Sequence, residues 1–285
     1  MERNRKLATW IGALLGTFMA LFLNSALAHA WDDGPVVTEE FHQSYPLTAN
    51  GRIELQNING AVHITAWDKN EVKVDAVKRA HSQEQLKDAE IRVDAHSDLI
   101  SVETHYHHDD DDWGSHQNPA SVEYTVSVPR SARLDEIKLI NGELDIGDVT
   151  GEVRASCING KLTARGLAGD TRLSTINSKL DAEFKQLGRE AIELSSVNGP
   201  IDLTLPSDAK ASIEANTVHG GIDNDFGLHT IDHRWVGHDL RGELAGGGTR
   251  IKLRNVNGRI DIHHAADGKV TSPAKDTGEH QDGTV

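Results

Sequence analysis

The sequence predicts an all-β chain wound as a β-solenoid, parallel β-helix-like, with rungs of about 18–21 residues. Three observations carry that expectation. An Asn-Gly or Asn-Ser pair preceded by Ile or Val recurs at Asn141, Asn159, Asn177 and Asn198, with spacings of 18, 18 and 21 residues. Apolar columns keep step with it: Leu144, Leu162, Leu180 and Ile201 follow three positions later, and Ile137, Ala155, Leu173 and Leu194 precede it by four. The composition fits a regular aliphatic core with many turns, with 5% aromatic residues, 26 glycines and 7 prolines.

The chain has 285 residues, enough for one or two domains with a real core. Residues 1–30 read as an export signal. Arg3, Arg5 and Lys6 form a charged start, Leu7 to Leu23 an apolar run, and Ala28-His29-Ala30 a small-x-small cleavage site. After cleavage nothing later is apolar enough to span a membrane, which places the chain in the periplasm or at the cell surface. The formal net charge is −15, and the signal removes a net +2, so the rest carries about −17. A chain that acidic does not seek nucleic-acid phosphates. Cys157 is the only cysteine, so no internal disulfide forms, and its repeat column makes it a small corner filler.

Residues 31–130 form a strand-rich lead-in. VVTEEFHQSYPL reads as a strand, and GRIELQNINGAVHITAW is a first rung with its corner at Asn59. Ser82 followed by Gln85 resembles a capping box and predicts one short helix over about 82–89. IRVDAHSDLISVETHYH reads as a strand pair turning near His96-Ser97-Asp98. An island of low complexity follows, with His105, His107, His108, Asp109, Asp110, Asp111, Asp112 and His116. It has donors for a divalent metal such as Zn²⁺, but a charge block of this kind is also an ordinary solvated loop. Val122, Tyr124, Val126 and Val128 alternate as a half-buried strand.

Residues 131–265 carry the repeats, interrupted by an insertion at about 226–248. Two later corners complete the series, Val218-His219-Gly220, where His replaces Asn, and Val256-Asn257-Gly258. Residues 266–285 are polar and lack periodicity, so they read as a disordered tail. Asn-Gly is also a hairpin signal, and an antiparallel meander is the rival architecture. The residue directly before each Asn is Ile58, Ile140, Ile158, Ile176, Val197, Val218 or Val256. Read as buried, these break the period of two at the Asn, as a corner of one coil would. Stacked rungs then allow Asn59, Asn141, Asn159, Asn177, Asn198 and Asn257 to form a ladder.

The I-N-G repeats, the strand-helix-strand lead-in and the ending GGGTRIKLRNVNGRIDI resemble the exported bacterial putative-adhesin family with β-strand repeats, related to head GIN domains. The resemblance covers about residues 38–263. It implies an adhesive or scaffolding role, with an envelope or surface partner that is protein or glycan, and it brings no catalytic residues and no cofactor.

Four residues after each corner stand His63, Asp145, Thr163, Asp181, Asp202, Asp223 and Asp261. Alternation turns this column outward, as a solubilising stripe or a site for a divalent cation such as Ca²⁺. A polysaccharide-degrading β-helix enzyme would draw on Asp181 and Asp202 with Lys161 or Lys179. Yet Trp67, Trp113 and Trp235 lie off the main repeat run, so no aromatic sugar platform accompanies them. The expectation is a non-enzymatic binding scaffold.

Overall fold

The computed structural model describes residues 36–107, 120–233 and 237–277, which form one compact unit. It is nearly all β, in two large mixed sheets of 10 and 12 strands. The lead-in supplies β1 (Val37–Pro46), β2 (Arg52–Asn59), β3 (Val62–Trp67), β4 (Glu71–Ala80), α1 (Gln83–Asp88), β5 (Ala89–Ala95), β6 (Leu99–Tyr106) and β7 (Ser121–Pro129). The predicted helix is present, and Ser82 caps it by accepting from the Gln85 N–H. β5 and β6 are the predicted antiparallel pair, closed by the His96 N–H on the Leu99 carbonyl at 2.8 Å.

The repeats follow as pairs of strands. β8 (Arg133–Asn141), β10 (Val153–Asn159), β12 (Thr171–Asn177) and β14 (Ile192–Asn198) each end at a corner Asn. β9 (Leu144–Gly147), β11 (Leu162–Leu167), β13 (Leu180–Phe184) and β15 (Ile201–Leu205) leave it. β16 (Ala211–His219) and β17 (Ile222–Asn224) flank His219; β18 (Thr230–Asp232) and β19 (His238–Leu244) lie in the insertion. β20 (Thr249–Asn257) and β21 (Ile260–His264) flank Asn257, and β22 (Ala274–Asp276) closes the series.

The two strands of one repeat enter different sheets, so the corner is not a hairpin and the meander does not occur. Strands before the corner pair in parallel with their counterparts, Ala155 beside Leu173 and Leu173 beside Leu194. Strands after it do the same, Leu162 beside Leu180 and Leu180 beside Ile201. The columns four before and three after the Asn are all at most 6% exposed, from Leu55 and Val62 to Leu253 and Ile260. Each large aliphatic so buried stabilises by about 1.5–3 kcal/mol.

The repeats do not stack in chain order. β20 lies between β14 and β16, and β21 between β15 and β17. The link Pro206–Lys210 therefore strides over one rung, which the last repeat fills. β19 then pairs antiparallel with the outer side of β16 and covers that edge.

The tail expected at 266–285 is ordered through Thr277, so its described part is corrected. β22 adds antiparallel to β19, with Gly242 beside Asp276. The Ser272 hydroxyl donates to the Ala209 carbonyl at 2.7 Å. Strand addition uses backbone groups, and a polar sequence without periodicity conceals it. Among the described residues no helix is long and apolar enough to cross a membrane.

Candidate functional site

The corner is built from three adjacent columns. Two residues before each Asn stand Asn57, Leu139, Cys157, Thr175, Ser196, Thr217 and Asn255, all 1–4% exposed. Several of their polar atoms hold corner carbonyls from inside: Asn57 Nδ2 on Val122 O at 2.8 Å, Thr217 Oγ1 on Gly258 O at 3.0 Å, and Asn255 Nδ2 on Gly199 O at 2.8 Å. Polar side chains at this column can reach the buried backbone acceptors that the turn brings to the core, although Leu139 occupies it in one rung.

The period of two therefore runs unbroken to this column, and the next residue points out. Ile58, Ile140, Ile158, Ile176, Val197, Val218 and Val256 are 36–42% exposed. This corrects the expectation that they are buried. Their β-branched character suits the extended backbone at the strand end and does not report burial.

The corner asparagines stand beside them, exposed except for the half-buried Asn59, and form one amide ladder. Asn141 donates to Asn59 at 2.8 Å, Asn159 to Asn141 at 2.9 Å, and Asn177 to Asn159 at 2.9 Å. Asn198 donates to Asn177 at 3.0 Å, and Asn257 to Asn198 at 2.8 Å. Asn59 in turn bonds the Tyr106 hydroxyl. His219 stands beside Asn257 at the other end. Gly142, at φ +143°, follows one corner Asn, and a Cβ there would overlap the Gly60 carbonyl of the neighbouring rung. Ser178 fills the same place after Asn177 without interrupting the ladder.

The carboxylate column runs in the order Asp145, Thr163, Asp181, Asp202, Asp261, Asp223. Asp223 is thus not next to Asp202, because Asp261 separates them. Thr163 and Asp261 are buried, which corrects a uniformly outward column. The Arg259 side chain lies against Asp261. Most of the acids have a basic neighbour: His63 Nδ1 at 2.9 Å from Asp145, Arg165 at 3.2 Å from Asp181, Lys179 on Asp202, and Arg259 Nε at 2.7 Å from Asp261. Burial pushes the Asp261 carboxyl up; Arg259 pulls it down, and Asp202 and Asp223 push it further up. Lys161 lies 3.9 Å from Glu143.

Of the metal-type island, only His105 and His107 fall among the described residues. Their rings meet edge to face at 5.0 Å, and His107 Nε2 is 3.4 Å from Glu90. Among the described residues no group of three or more His, Cys, Asp or Glu side chains is arranged to hold a metal ion. His108, Asp109, Asp110, Asp111, Asp112 and His116 lie outside the described residues, as do Trp113, Trp235 and residues 1–30, which the sequence reads as an export signal. Trp67 donates to the Glu71 carbonyl at 2.9 Å under the Lys69 ammonium.

What sequence reasoning missed is the exposure of the aliphatic row. The signal was present: a strict alternation from four before the Asn to two before it leaves the next residue outside. The opposite corner also carries a feature that no motif announced, a cleft lined with basic side chains.

No family model matches the chain, and no curated protein matches it. Solved structures do. The chain is similar to the crystal structure of a putative cell adhesion protein from Clostridium sporogenes ATCC 15579, with 13% identity, 80% of this chain and 100% of that chain covered, and a TM-score of 0.46. It is similar to a putative adhesin from Bacteroides fragilis NCTC 9343, with 13% identity, 80% and 97% covered, and a TM-score of 0.33. A putative adhesin from Parabacteroides distasonis ATCC 8503 follows, with 8% identity, 82% and 98% covered, and a TM-score of 0.24.

Proposed function

We propose that the chain is an exported, non-catalytic β-solenoid that acts as an adhesin-like binding scaffold in the periplasm or at the cell surface. The observation that carries this reading is the corner face itself. An amide ladder of six asparagines runs beside a row of seven exposed aliphatic side chains, in register. The rung spacing is about 4.8 Å. Single exposed aliphatics are normal on any surface, but a contiguous row flanked by polar groups is the composition of an interaction face. Parallel pairing of successive repeats in both sheets supports the solenoid description. The charged start and apolar run of residues 1–30 support export. The partner is an envelope or surface protein or glycan.

The test replaces Ile158, Ile176 and Val197 together by Ser and compares capture from envelope extracts, with and without EDTA, against the unaltered chain. Loss of the captured partner with an unchanged melting temperature is expected. Capture of the same partner in equal amount would remove this face from the account. Cleavage of polyuronides by the purified chain would replace the scaffold by an enzyme.

A further inference from the structure

The corner opposite the asparagines holds a cleft of about 550 Å³. It forms where Pro206–Lys210 strides over the inserted rung, and Lys185, Arg189, Lys210 and Lys269 line it together with Gly247 and Gly248. We propose that this cleft binds a small phosphate-bearing ligand, with Arg189 and Lys210 as the contacting cations. This reaches beyond the scaffold reading and uses a different corner of the molecule.

Charge is the first reason. Among the described residues the lining has four cationic side chains and one carboxylate, Asp208, on a chain whose net charge is −15. Lys269 takes up Asp208, with contacts of 2.8 and 2.9 Å to its two oxygens, and Lys185 pairs with Asp148. Arg189 and Lys210 have no carboxylate partner among the described residues, although carboxylates are abundant elsewhere. A concave basic site in an acidic surround focuses a positive field on whatever anion enters it.

Preorganisation is the second. The buried Thr249 hydroxyl donates to the Gly188 carbonyl, next to Arg189, and its N–H donates to the Lys210 carbonyl at 3.0 Å. One residue, through its side chain and its backbone, thus ties both cation-bearing loops. Ser272 holds the Ala209 carbonyl at 2.7 Å from the far side. Ala245, Gly246 and Gly247 have φ of 49°, 79° and 88°, a left-handed run that turns the backbone into the cleft. At Gly248 a Cβ would overlap the Lys210 carbonyl, so the approach of the two loops requires glycine.

The ligand class follows from both. A phosphate monoester brings a charge of about −1.5 to −2 and three acceptor oxygens, a closer match to the lining than one carboxylate. Arg offers a planar fork to such oxygens and Lys a point charge. The volume suits a ligand of sugar-phosphate or glycerol-phosphate size. Among the described residues no aromatic side chain lines the cleft, so a nucleobase would find no stacking partner in them. A lipid headgroup (a phosphodiester with one charge) and a free sugar phosphate both offer phosphate oxygens of this kind.

The experiment titrates the full chain with glycerol phosphate, with galacturonate as a carboxylate probe, and with phosphatidylglycerol or phosphatidylcholine vesicles. The double variant Arg189→Gln/Lys210→Gln, both single variants and Arg172→Gln, an exposed arginine of β12 paired with Glu193, are run beside it. Glycerol phosphate binding should weaken at least about tenfold in the double variant, stay unchanged in Arg172→Gln, and fall with salt. Preference for phosphatidylglycerol vesicles that the double variant loses would assign the phosphate to a headgroup. Binding of glycerol phosphate with no such preference would assign it to a soluble ligand. Absence of binding by every phosphate probe, equal affinity for galacturonate, or unchanged binding in the double variant would overturn the proposal. Should the double variant fail to fold, the single variants decide by the same criterion.

Discussion

Asn257 donates its side-chain amide to Asn198 at 2.8 Å, and the residue beyond Asn257 in the ladder is His219, which precedes it in the chain. The last repeat has been slipped between the two repeats that sequence order would have made neighbours. The amide column is continuous only because of this. An Asn passes the ladder on, since its amide both donates and accepts along the stack, whereas an imidazole in that place ends it. The histidine stands where β19 rather than another rung covers the sheet edge.

Extending the ladder should stabilise it. His219→Asn places an amide next to Asn257, and one further hydrogen bond contributes about 0.5–1.5 kcal/mol net. A rise of a few degrees in melting temperature is expected. Asn159→Ala, which removes a donor to Asn141 and an acceptor from Asn177, should cost about 1–2 kcal/mol. Equal melting temperatures for the three proteins would show that solvent supplies these bonds as well as the stack does.

The exposed row makes a second prediction, and it reverses what burial of Ile158 would have implied. Ile158→Asp should fold with a loss within about 1 kcal/mol, because the carboxylate enters water. Leu162→Asp, four residues on and fully buried between Leu144 and Leu180, should cost several kcal/mol or abolish folding. Chemical denaturation of the pair reads the difference. A large loss in Ile158→Asp would mean that this corner is covered.

The contrast shows what was legible in the sequence. The columns at Leu173 and Leu180 were legible, since there aliphatic character at a fixed offset does coincide with burial. Ile176 misleads because hydrophobicity was taken for burial. The better guide was Thr175, whose small side chain fills a tight corner from within. The place of β20 was not legible. Parallel neighbours are chosen by which edge is free, and that depends on the insertion closing the outer edge of β16. The basic cleft was hidden for a related reason, since Arg189, Lys210 and Lys269 come from three separate segments that only the stride over a rung brings together.

Cys157 should be inert. It is 1% exposed, and burial pushes its thiol up to about 11. Its Sγ lies 3.5 Å from the Gly142 carbonyl. A thiol-reactive reagent at pH 8 should label it only as fast as the stack opens, and at full speed in denaturant. Rapid labelling of the native chain would place the sulfur at the surface and undo the inward column to which it belongs.

The carboxylate stripe makes the last prediction. Asp145, Asp181, Asp202 and Asp261 each have a basic partner, so little uncompensated charge remains to hold a cation. Ca²⁺ bound at a hundred times its dissociation constant would add about 2.7 kcal/mol to stability, and no such rise over EDTA is expected. The pH dependence is more telling. The folded state holds the Asp261 proton more tightly than the unfolded chain does, because burial and the neighbouring Asp202 and Asp223 outweigh Arg259. Ionising it therefore costs stability as pH rises from the ordinary carboxylate value through the raised one, and acidification restores that loss. Asp261→Asn keeps the shape and removes the titration. It should be more stable than the parent at pH 7, with the difference shrinking as the pH falls to the point where both residues are neutral. If Asp261→Asn is instead less stable at pH 7, the ion pair with Arg259 outweighs burial, and the stripe is a stabilising element of the stack.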